Sequence, residues 1–210
     1  GKLNIGEWKG TWMTSDKATR VKEIRDWGGK EDLSFDCNVM WDEENLYVAA
    51  NVTDNIFCQN EVGANIWRGD MFQFAIEDKL HNGDFVLAGG GVDVNFTEFG
   101  AALVNNSNPI LYRYSSEHNK CPNGIVENVD IAIKREGSHI IYEMAIPWTE
   151  IFGAEYEFDS NKIFGFSMLA NDNDGEGRRG WIEYNSGIGS EKNGLLFGKM
   201  PLVGKSLEKR

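Results

Sequence analysis

The segment that decides the fold reads Phe164-Gly-Phe-Ser-Met-Leu-Ala-Asn-Asp-Asn-Asp-Gly-Glu-Gly-Arg-Arg-Gly-Trp-Ile-Glu-Tyr184. In its first half, an apolar face alternates with a second face made of Gly165, Ser167 and Leu169, which predicts a half-buried strand. The core face carries four residues: Phe164, Phe166, Met168 and Ala170. The run 171–175 predicts a polar turn, because Asn, Asp and Gly accept left-handed backbone geometry. A second short strand then carries Trp181 and Tyr184.

Similar short patterns recur along the whole chain of 210 residues, which contains 24 Gly and 12% aromatic residues. Strands are predicted near 20–24, 38–41, 46–52, 71–76, 94–104, 110–114, 126–134, 139–146, 164–172, 180–184 and 195–203. In the fourth of these, Phe72, Phe74 and Ile76 share the core face. One helical turn is predicted at 147–152, and residues 1–34 are predicted to cover an end of the core. We therefore predict an all-β fold, an antiparallel β-sandwich of about ten strands with jelly-roll-like or immunoglobulin-like topology.

The net charge is −12, from 33 acidic and 21 basic residues. Such a chain repels polyanions, so we expect neither nucleic acid nor a membrane as a partner. Cys37, Cys58 and Cys121 form no Cys-x-x-Cys motif, and their disulfide state stays open. The chain begins abruptly at Gly1 without a signal peptide. We expect residues 1–210 to be one module excised from a larger multidomain protein, and we expect it to be monomeric.

Several phrases in order along the chain resemble the family 9 carbohydrate-binding modules, within a broader group of sandwiches that includes haem-binding cytochrome domains. The phrases are Gly1-Lys-Leu with Glu7-Trp8, Met40-Trp-Asp-Glu-Glu-Asn-Leu-Tyr-Val48, Trp67-Arg-Gly-Asp-Met-Phe-Gln-Phe74, Thr97-Glu-Phe-Gly-Ala-Ala-Leu103, Tyr142-Glu-Met-Ala-Ile-Pro-Trp148, Asn171-Asp-Asn-Asp-Gly with Arg178-Arg-Gly-Trp181, and Phe197-Gly-Lys-Met-Pro-Leu202. The resemblance implies a non-catalytic module, appended to catalytic or surface-anchoring domains of xylanases and other extracellular or cell-surface proteins. It also implies structural calcium ions.

In the best-known members of that family, two aromatic side chains clamp a sugar at a glycan chain end. The resemblance places Trp67 at one ring position and Tyr184 at the other, where the family has Trp, so Trp181 is the alternative second ring. Gln73 stands where the family has an acidic residue, a departure that affects selectivity for reducing ends.

Sugar recognition needs an aromatic face for the apolar C–H face of a pyranose and fixed polar groups for its hydroxyls. Beside the rings, we predict that the carbohydrate contacts include Gln73, Asn171, Asn173, Arg178, Arg179 and Glu98. The competing interpretation is that the Asn residues serve turn geometry and the Arg residues are solvated. Asp172 and Asp174 alternate with Asn173 and are candidate calcium ligands, although the distal Glu of an EF-hand is absent.

Three other functions remain open. A glycoside hydrolase would draw its carboxylate pair from residues such as Glu77, Glu98 and Glu143, and the histidines show no triad or metal spacing. A haem-binding sandwich would need axial ligands such as Met71, Met144 or Met168, which are otherwise core residues. A structural or protein-interaction domain is the third. We predict non-catalytic binding of plant cell-wall polysaccharide of glucan or xylan type.

Overall fold

The computed structural model describes residues 7–78 and 95–202, in which thirteen strands form two antiparallel sheets. The strands are β1 (Met13–Ser15), β2 (Val21–Lys22), β3 (Leu33–Trp41), β4 (Asn45–Asp54), β5 (Met71–Glu77), β6 (Thr97–Val104), β7 (Asn108–Ser115), β8 (Gly124–Ile125), β9 (Asp130–Glu136), β10 (His139–Pro147), β11 (Ile163–Asp172), β12 (Gly180–Glu183) and β13 (Gly198–Pro201). One short helix, α1 (Trp148–Phe152), follows β10, and 3-10 turns include Gly63–Arg68 and Gly194–Leu196.

The smaller sheet has five strands in the order β1-β3-β4-β10-β9. The larger sheet has eight strands, seven of them in the order β2-β12-β11-β5-β6-β7-β8. Strand β13 pairs with the beginning of β11, and β12 pairs with its end. The two sheets face each other across a single apolar layer, so the predicted antiparallel β-sandwich is confirmed.

The core lies between the sheets, where alternation along each strand places every second side chain. Phe72 and Phe74 of β5 lie in it with Phe166 of β11, and the ring centroids of Phe74 and Phe166 are 6.1 Å apart. The predicted core faces of both strands are confirmed, because all seven residues named for them belong to this buried cluster. The outer face of β5 and β11 is also buried, under the 63–68 turn and the 186–197 loop, and this second layer positions the site.

Sequence patterning found the long strands and missed the shortest ones. Strand β3 begins at Leu33, five residues before the prediction, and β9 begins at Asp130, four residues after it. Strands β1 and β8 were not predicted, because two or three residues show no alternation. The helical turn at 147–152 is confirmed as α1, and the edge strand near 20–24 as β2. The closing strand is Gly198–Pro201, and its predicted last residue, Val203, lies outside the described residues.

The three cysteines, Cys37, Cys58 and Cys121, are free thiols. Cys37 is fully buried in the core, and burial raises the pKa of its thiol. Within 7–78 and 95–202, no helix has the length and apolar character that a membrane crossing requires.

Candidate functional site

A cavity of about 630 Å³ opens on the outer face of the eight-stranded sheet. Its floor comes from β5, β6 and β12, and loops before β5 and after β12 form its walls. Its lining comprises Glu23, Ala64, Trp67, Gln73, Phe96, Glu98, Tyr114, Ser115, Arg178, Trp181, Ile188, Gly189, Ser190 and Lys192. Aromatic and charged groups therefore meet in one concave surface, as in many small-molecule sites.

A row of hydrogen-bonded polar side chains crosses this face from β6 to β11. Lys192 Nζ donates to Glu98 Oε1 at 2.5 Å, and Gln73 Nε2 donates to the same oxygen. Asn171 Nδ2 donates to Gln73 Oε1 at 3.1 Å, and Arg178 Nε donates to Asn171 Oδ1 at 2.7 Å. Because each amide is held by both neighbours, the row presents hydroxyl-binding groups in fixed orientations. It also contains a carboxylate, Glu98, beside the Gln at position 73.

Two Trp rings flank the row, and the guanidinium of Arg178 lies over both. Its Cζ is 5.5 Å from the ring centroid of Trp67 and 4.4 Å from that of Trp181. Trp67 follows a polar loop and is 37% exposed, whereas Trp181 is 2% exposed. The backbone of Gly189 lies against the Trp181 indole so closely that a Cβ there would be 2.3 Å from Cε2. Trp67 is therefore the accessible ring at the cavity mouth, and Trp181 is a wall.

Tyr184 lies outside the cavity lining. Strand alternation sends Ile182 into the core and Trp181 to the outer face, and Tyr184 packs against the core cluster. The guanidinium of Arg20 lies 4.9 Å from the Tyr184 ring centroid. Of the two residues named for the second ring position, the structure brings only Trp181 next to Trp67.

Asn173 and Arg179 also lie outside the cavity lining, in the loop that joins β11 to β12. Asn173 Oδ1 accepts from the backbone N–H groups of Gly175 and Gly177, at 2.8 and 3.2 Å, and its Nδ2 donates to Arg68 O at 2.8 Å. Asn173 thus serves turn geometry and ties its loop to the segment that carries Trp67. Of the polar residues predicted from sequence, Gln73, Glu98 and Arg178 line the cavity, and Asn171 supports them from the row.

An acidic cluster lies beside that loop, at the end of the sandwich where β4 and β11 end and β5 begins. Asp54, Asp70 and Asp172 are at most 2% exposed, and one carboxylate oxygen from each lies within 4.8 Å of the others. Arg179 Nη1 is 3.1 Å from Asp172 Oδ2 and also pairs with Asp174. We call Asp54, Asp70 and Asp172 the acidic cluster.

Burial raises the pKa of every carboxyl group in the acidic cluster. For Asp172 the pKa rises to about 7, chiefly through desolvation and against the opposing charge of Arg179. Desolvation also raises the pKa values of Asp54 and Asp70, and the neighbouring carboxylates add to the effect. Asp54 Oδ2 and Asp172 Oδ1 are buried and accept no hydrogen bond from the described residues, and Asp172 Oδ2 has only its ion pair with Arg179. Buried carboxylate oxygens in this state fit an oxygen-preferring cation such as calcium.

Of the two calcium candidates from the sequence, Asp172 belongs to this cluster, whereas Asp174 lies outside it and pairs with Arg179. Asp54 and Asp70 were not named from sequence, although each stands at the end or just before the start of a strand. Tyr114 was also missed, and its alternation with Tyr112 along β7 was the available signal. Lys192 and Glu23 lie in loops, where no periodic pattern exists to indicate them.

Of the three carboxylates considered for hydrolysis, Glu77 is buried at the end of β5 outside the cavity lining, and the other two lie on different sheets. Glu98 lies on the outer face of the larger sheet, whereas Glu143 alternates with core residues of β10 and lies on the outer face of the smaller one. Stacked sheets are about 10 Å apart, so these carboxylates are too far apart for the roughly 5–9.5 Å that a glycosidase pair needs. Met144 and Met168 are core residues, and Met71 packs under Tyr114, whose hydroxyl is 3.8 Å from its sulfur.

Comparison with known sequences finds a family described as carbohydrate family 9 binding domain-like, whose profile matches residues 6–205. The chain is also 24% identical over 201 residues to endo-1,4-beta-xylanase A of Thermotoga neapolitana. That alignment covers 94% of this chain and 17% of the xylanase, so the chain spans about a sixth of that relative.

Two solved structures share the fold, and both are family 9 carbohydrate-binding modules of Caldicellulosiruptor kristjanssonii. The one in complex with cellotriose superposes with a TM-score of 0.62 at 16% identity, over 93% of this chain and 84% of that chain. The one in complex with glucose gives a TM-score of 0.60 at 16% identity, over 95% of each chain.

Proposed function

The chain belongs to the carbohydrate family 9 binding domain-like family, and we propose that it binds plant cell-wall polysaccharide of glucan or xylan type without cleaving it. The observation that carries the proposal is the exposed Trp67 at the mouth of a cavity whose floor includes Gln73 and Glu98, with Asn171 holding Gln73 from outside the lining. The relatives support the ligand class, because two similar structures hold cellotriose or glucose and the xylanase acts on a plant polysaccharide.

In the proposed complex, the aromatic ring and the row of polar side chains bind different parts of the sugar. A pyranose lays its C–H face on Trp67, and burial of roughly 100 Å² of apolar surface contributes about 2–3 kcal/mol. Its hydroxyls replace water on Gln73 and Glu98, which the row holds in place at little entropic cost. Trp181 and Arg178 close the far side of the cavity. An exposed site of this size supports affinities from micromolar to millimolar.

We further propose that the module acts as a monomer in an extracellular or cell-surface protein, beside a catalytic or anchoring domain. Recognition of chain ends is a finer part of the proposal, and the concave shape of the cavity supports it. An interior segment of a polysaccharide must leave its site on both sides, whereas a terminal residue must leave on one side only.

The test is calorimetric titration with cellobiose, xylobiose and their reduced alditols. We expect Trp67→Ala to weaken disaccharide binding by roughly 30- to 150-fold, which corresponds to about 2–3 kcal/mol. Trp12→Ala is the matched control, because Trp12 is half-buried and outside the cavity lining. Weaker binding of the alditols would support chain-end recognition. Full binding by Trp67→Ala, or no heat with any of these sugars in the presence of calcium, would overturn the proposal.

We also propose that Asp54, Asp70 and Asp172 hold a structural calcium ion. Three carboxylates supply up to six oxygen ligands, within the six to eight that calcium takes. The ion would neutralise their buried charge and fix both loops at the cavity mouth, because Asp70 follows Trp67 by three residues and Asp172 precedes Arg178 by six. Asp70 Oδ1 already accepts from Asn173 N at 2.6 Å, which links the two loops.

Calcium binding is tested by thermal unfolding with calcium or with a chelator. Calcium at about 100 times its Kd stabilises a folded protein by about 2.7 kcal/mol, or roughly 5–10 °C for a domain of this size. We expect Asp70→Asn to lose most of this shift, and Asp36→Asn, on β3 outside the cluster, to keep it. An unchanged melting temperature in the wild type would rule out the ion.

A further inference from the structure

Arg178 is a half-buried cation without a carboxylate partner among the described residues, and it lines the cavity. Other basic side chains in comparable settings are paired: Arg113 with Glu150 at 2.6 Å, Arg179 with Asp172 at 3.1 Å, Lys162 with Asp78 at 2.7 Å and Lys192 with Glu98 at 2.5 Å. Desolvation lowers the pKa of Arg178, because burial disfavours the charged guanidinium. No acid in 7–78 or 95–202 compensates for this through an ion pair.

The arrangement around Arg178 orients the guanidinium instead of neutralising it. Nε donates to Asn171 Oδ1 at 2.7 Å, and the two indoles of Trp67 and Trp181 lie within 5.5 Å of Cζ. Nε is the one side-chain donor of Arg178 that has a hydrogen bond among the described residues, so the two Nη groups, which lie in the same plane, stay available to a ligand. A planar fork of this kind matches a carboxylate with two parallel hydrogen bonds.

No acid near the cavity forms an ion pair with Arg178 among the described residues. Glu98 is paired with Lys192, and Glu183, which accepts from the Trp181 indole at 3.1 Å, is 3.5 Å from Lys22. Glu23 lines the cavity and acts on Arg178 through its charge, without an ion pair. The chain has a net charge of −12, so a cation without a paired acid in 7–78 or 95–202 is unusual at the edge of a binding cavity.

We propose that the cavity is selective for a sugar that carries a carboxylate, a hexuronic acid residue, whose carboxylate pairs with the Nη edge of Arg178. The inference rests on the proposed function, because it assigns a ligand class to the same sugar-binding cavity. The pyranose ring uses Trp67 and the polar row as any neutral sugar does. The carboxylate adds a charge-assisted, two-pronged contact that a neutral sugar lacks.

The experiment compares near-isosteric ligands that differ in charge, with glucuronate and glucuronamide as one pair and galacturonate and galacturonamide as the other. In titrations at pH 7 and low salt, we expect the favoured acid to bind about tenfold more tightly than its amide, since hydrogen bonds to charged groups are the stronger ones. The pair that shows the preference identifies the epimer. The preference should shrink at high salt, because screening weakens a partly exposed ion pair.

Three variants separate the role of Arg178 from folding and from general charge. Arg178→Gln should bind the acid and the amide equally, and Arg178→Lys should retain part of the preference because the charge remains while the fork is lost. Arg68→Gln is the matched control: Arg68 also lies over the Trp67 ring, at 5.3 Å, but outside the cavity lining. It should keep the tenfold preference. Thermal unfolding of each variant confirms that it is folded.

The outcomes distinguish this inference from the proposed function. Equal binding of acid and amide by the wild type, with cellobiose or xylobiose still bound through Trp67, overturns the inference and leaves the function standing. Tighter neutral-sugar binding by Arg178→Gln also overturns it, because Arg178 would then be filling the space between the rings. No binding of any sugar defeats the proposed function itself.

Discussion

Arg178 and Arg179 are neighbours in the chain, yet they serve two regions of opposite character. Arg179 interacts with four carboxylates, those of Asp26, Asp32, Asp172 and Asp174. Arg178 has two Trp rings and one amide. The first region balances buried charge and closes the end of the sandwich. The second leaves Arg178 without an ion pair among the described residues, beside an open cavity.

This difference between Arg178 and Arg179 separates polar groups that stabilise the fold from polar groups that face the ligand. In the acidic region, Arg179 holds the β11–β12 loop through its ion pairs, so its removal should lower the free energy of unfolding. In the cavity, the hydrogen bonds join side chains of β5, β6 and β11 to Arg178 and Lys192, which line the open space, so a change there should lower ligand affinity. Each prediction below tests this separation.

The largest expected effect is on stability, when each Arg is replaced by Met. In chelator at pH 7, we expect Arg179→Met to lower the free energy of unfolding by about 3 kcal/mol, because it leaves buried carboxylates without their cation. Arg178→Met should cost about 1 kcal/mol, the value of one hydrogen bond, since Met retains much of the packing. Urea unfolding measures both, with the m-value as the check on two-state behaviour. Equal losses would mean that the two regions do not differ in this way.

The stretch that decided the fold also shows why the sequence could predict this much. Alternation from Phe164 to Ala170 identifies the core face of β11, because burial on one face is a local, periodic property. The same logic places Trp181 and Tyr184 on opposite faces, as they are separated by an odd number of positions. The resemblance to the family favoured Tyr184 as second ring, whereas strand period favours Trp181.

The parts that sequence could not predict depend on contacts between distant segments. Asp54, Asp70 and Asp172 come together only because β4 and β11 end, and β5 begins, at one end of two facing sheets. Lys192 reaches Glu98 from a loop that follows β12, with 94 positions between them. Neither of these contacts produces a periodic pattern in the sequence. Residue type and strand position alone would therefore have indicated many other acids among the 33 as candidates.

The second effect is a pH dependence that the acidic cluster imposes on the metal-free protein. The pKa of Asp172 is raised to about 7 in the folded protein and is about 3.9 in an unfolded chain. A raised carboxyl pKa contributes stability that is fully present below about pH 3.9 and is lost as pH rises through 7. One pKa unit corresponds to about 1.4 kcal/mol, so between pH 4 and 7 we expect metal-free wild type to lose about 3 kcal/mol relative to Asp172→Asn.

Urea unfolding of both proteins across that pH range, in chelator, measures the difference, and carboxylates elsewhere in the chain cancel in it. Calcium should reverse the trend in the wild type, because the metal binds the deprotonated carboxylates and its affinity rises with pH. If the stabilities of the two proteins in chelator change with pH in parallel, the pKa of Asp172 is not raised in the folded protein.

The smallest expected effect is on sugar affinity when Tyr184 is changed to Leu. Its ring packs on the core side of the sheet under Arg20, outside the cavity lining, so we expect disaccharide Kd values within about twofold of wild type. Unfolding should be easier by about 1–2 kcal/mol, because a half-buried aromatic surface is reduced. Trp67→Ala, titrated in parallel, establishes that a real loss of ring contact is detectable. A tenfold weaker affinity in Tyr184→Leu, at unchanged thermal stability, would identify Tyr184 as the second ring. Because Tyr184 packs on the core side, its ring would then have to move to the outer face of the sheet when sugar binds.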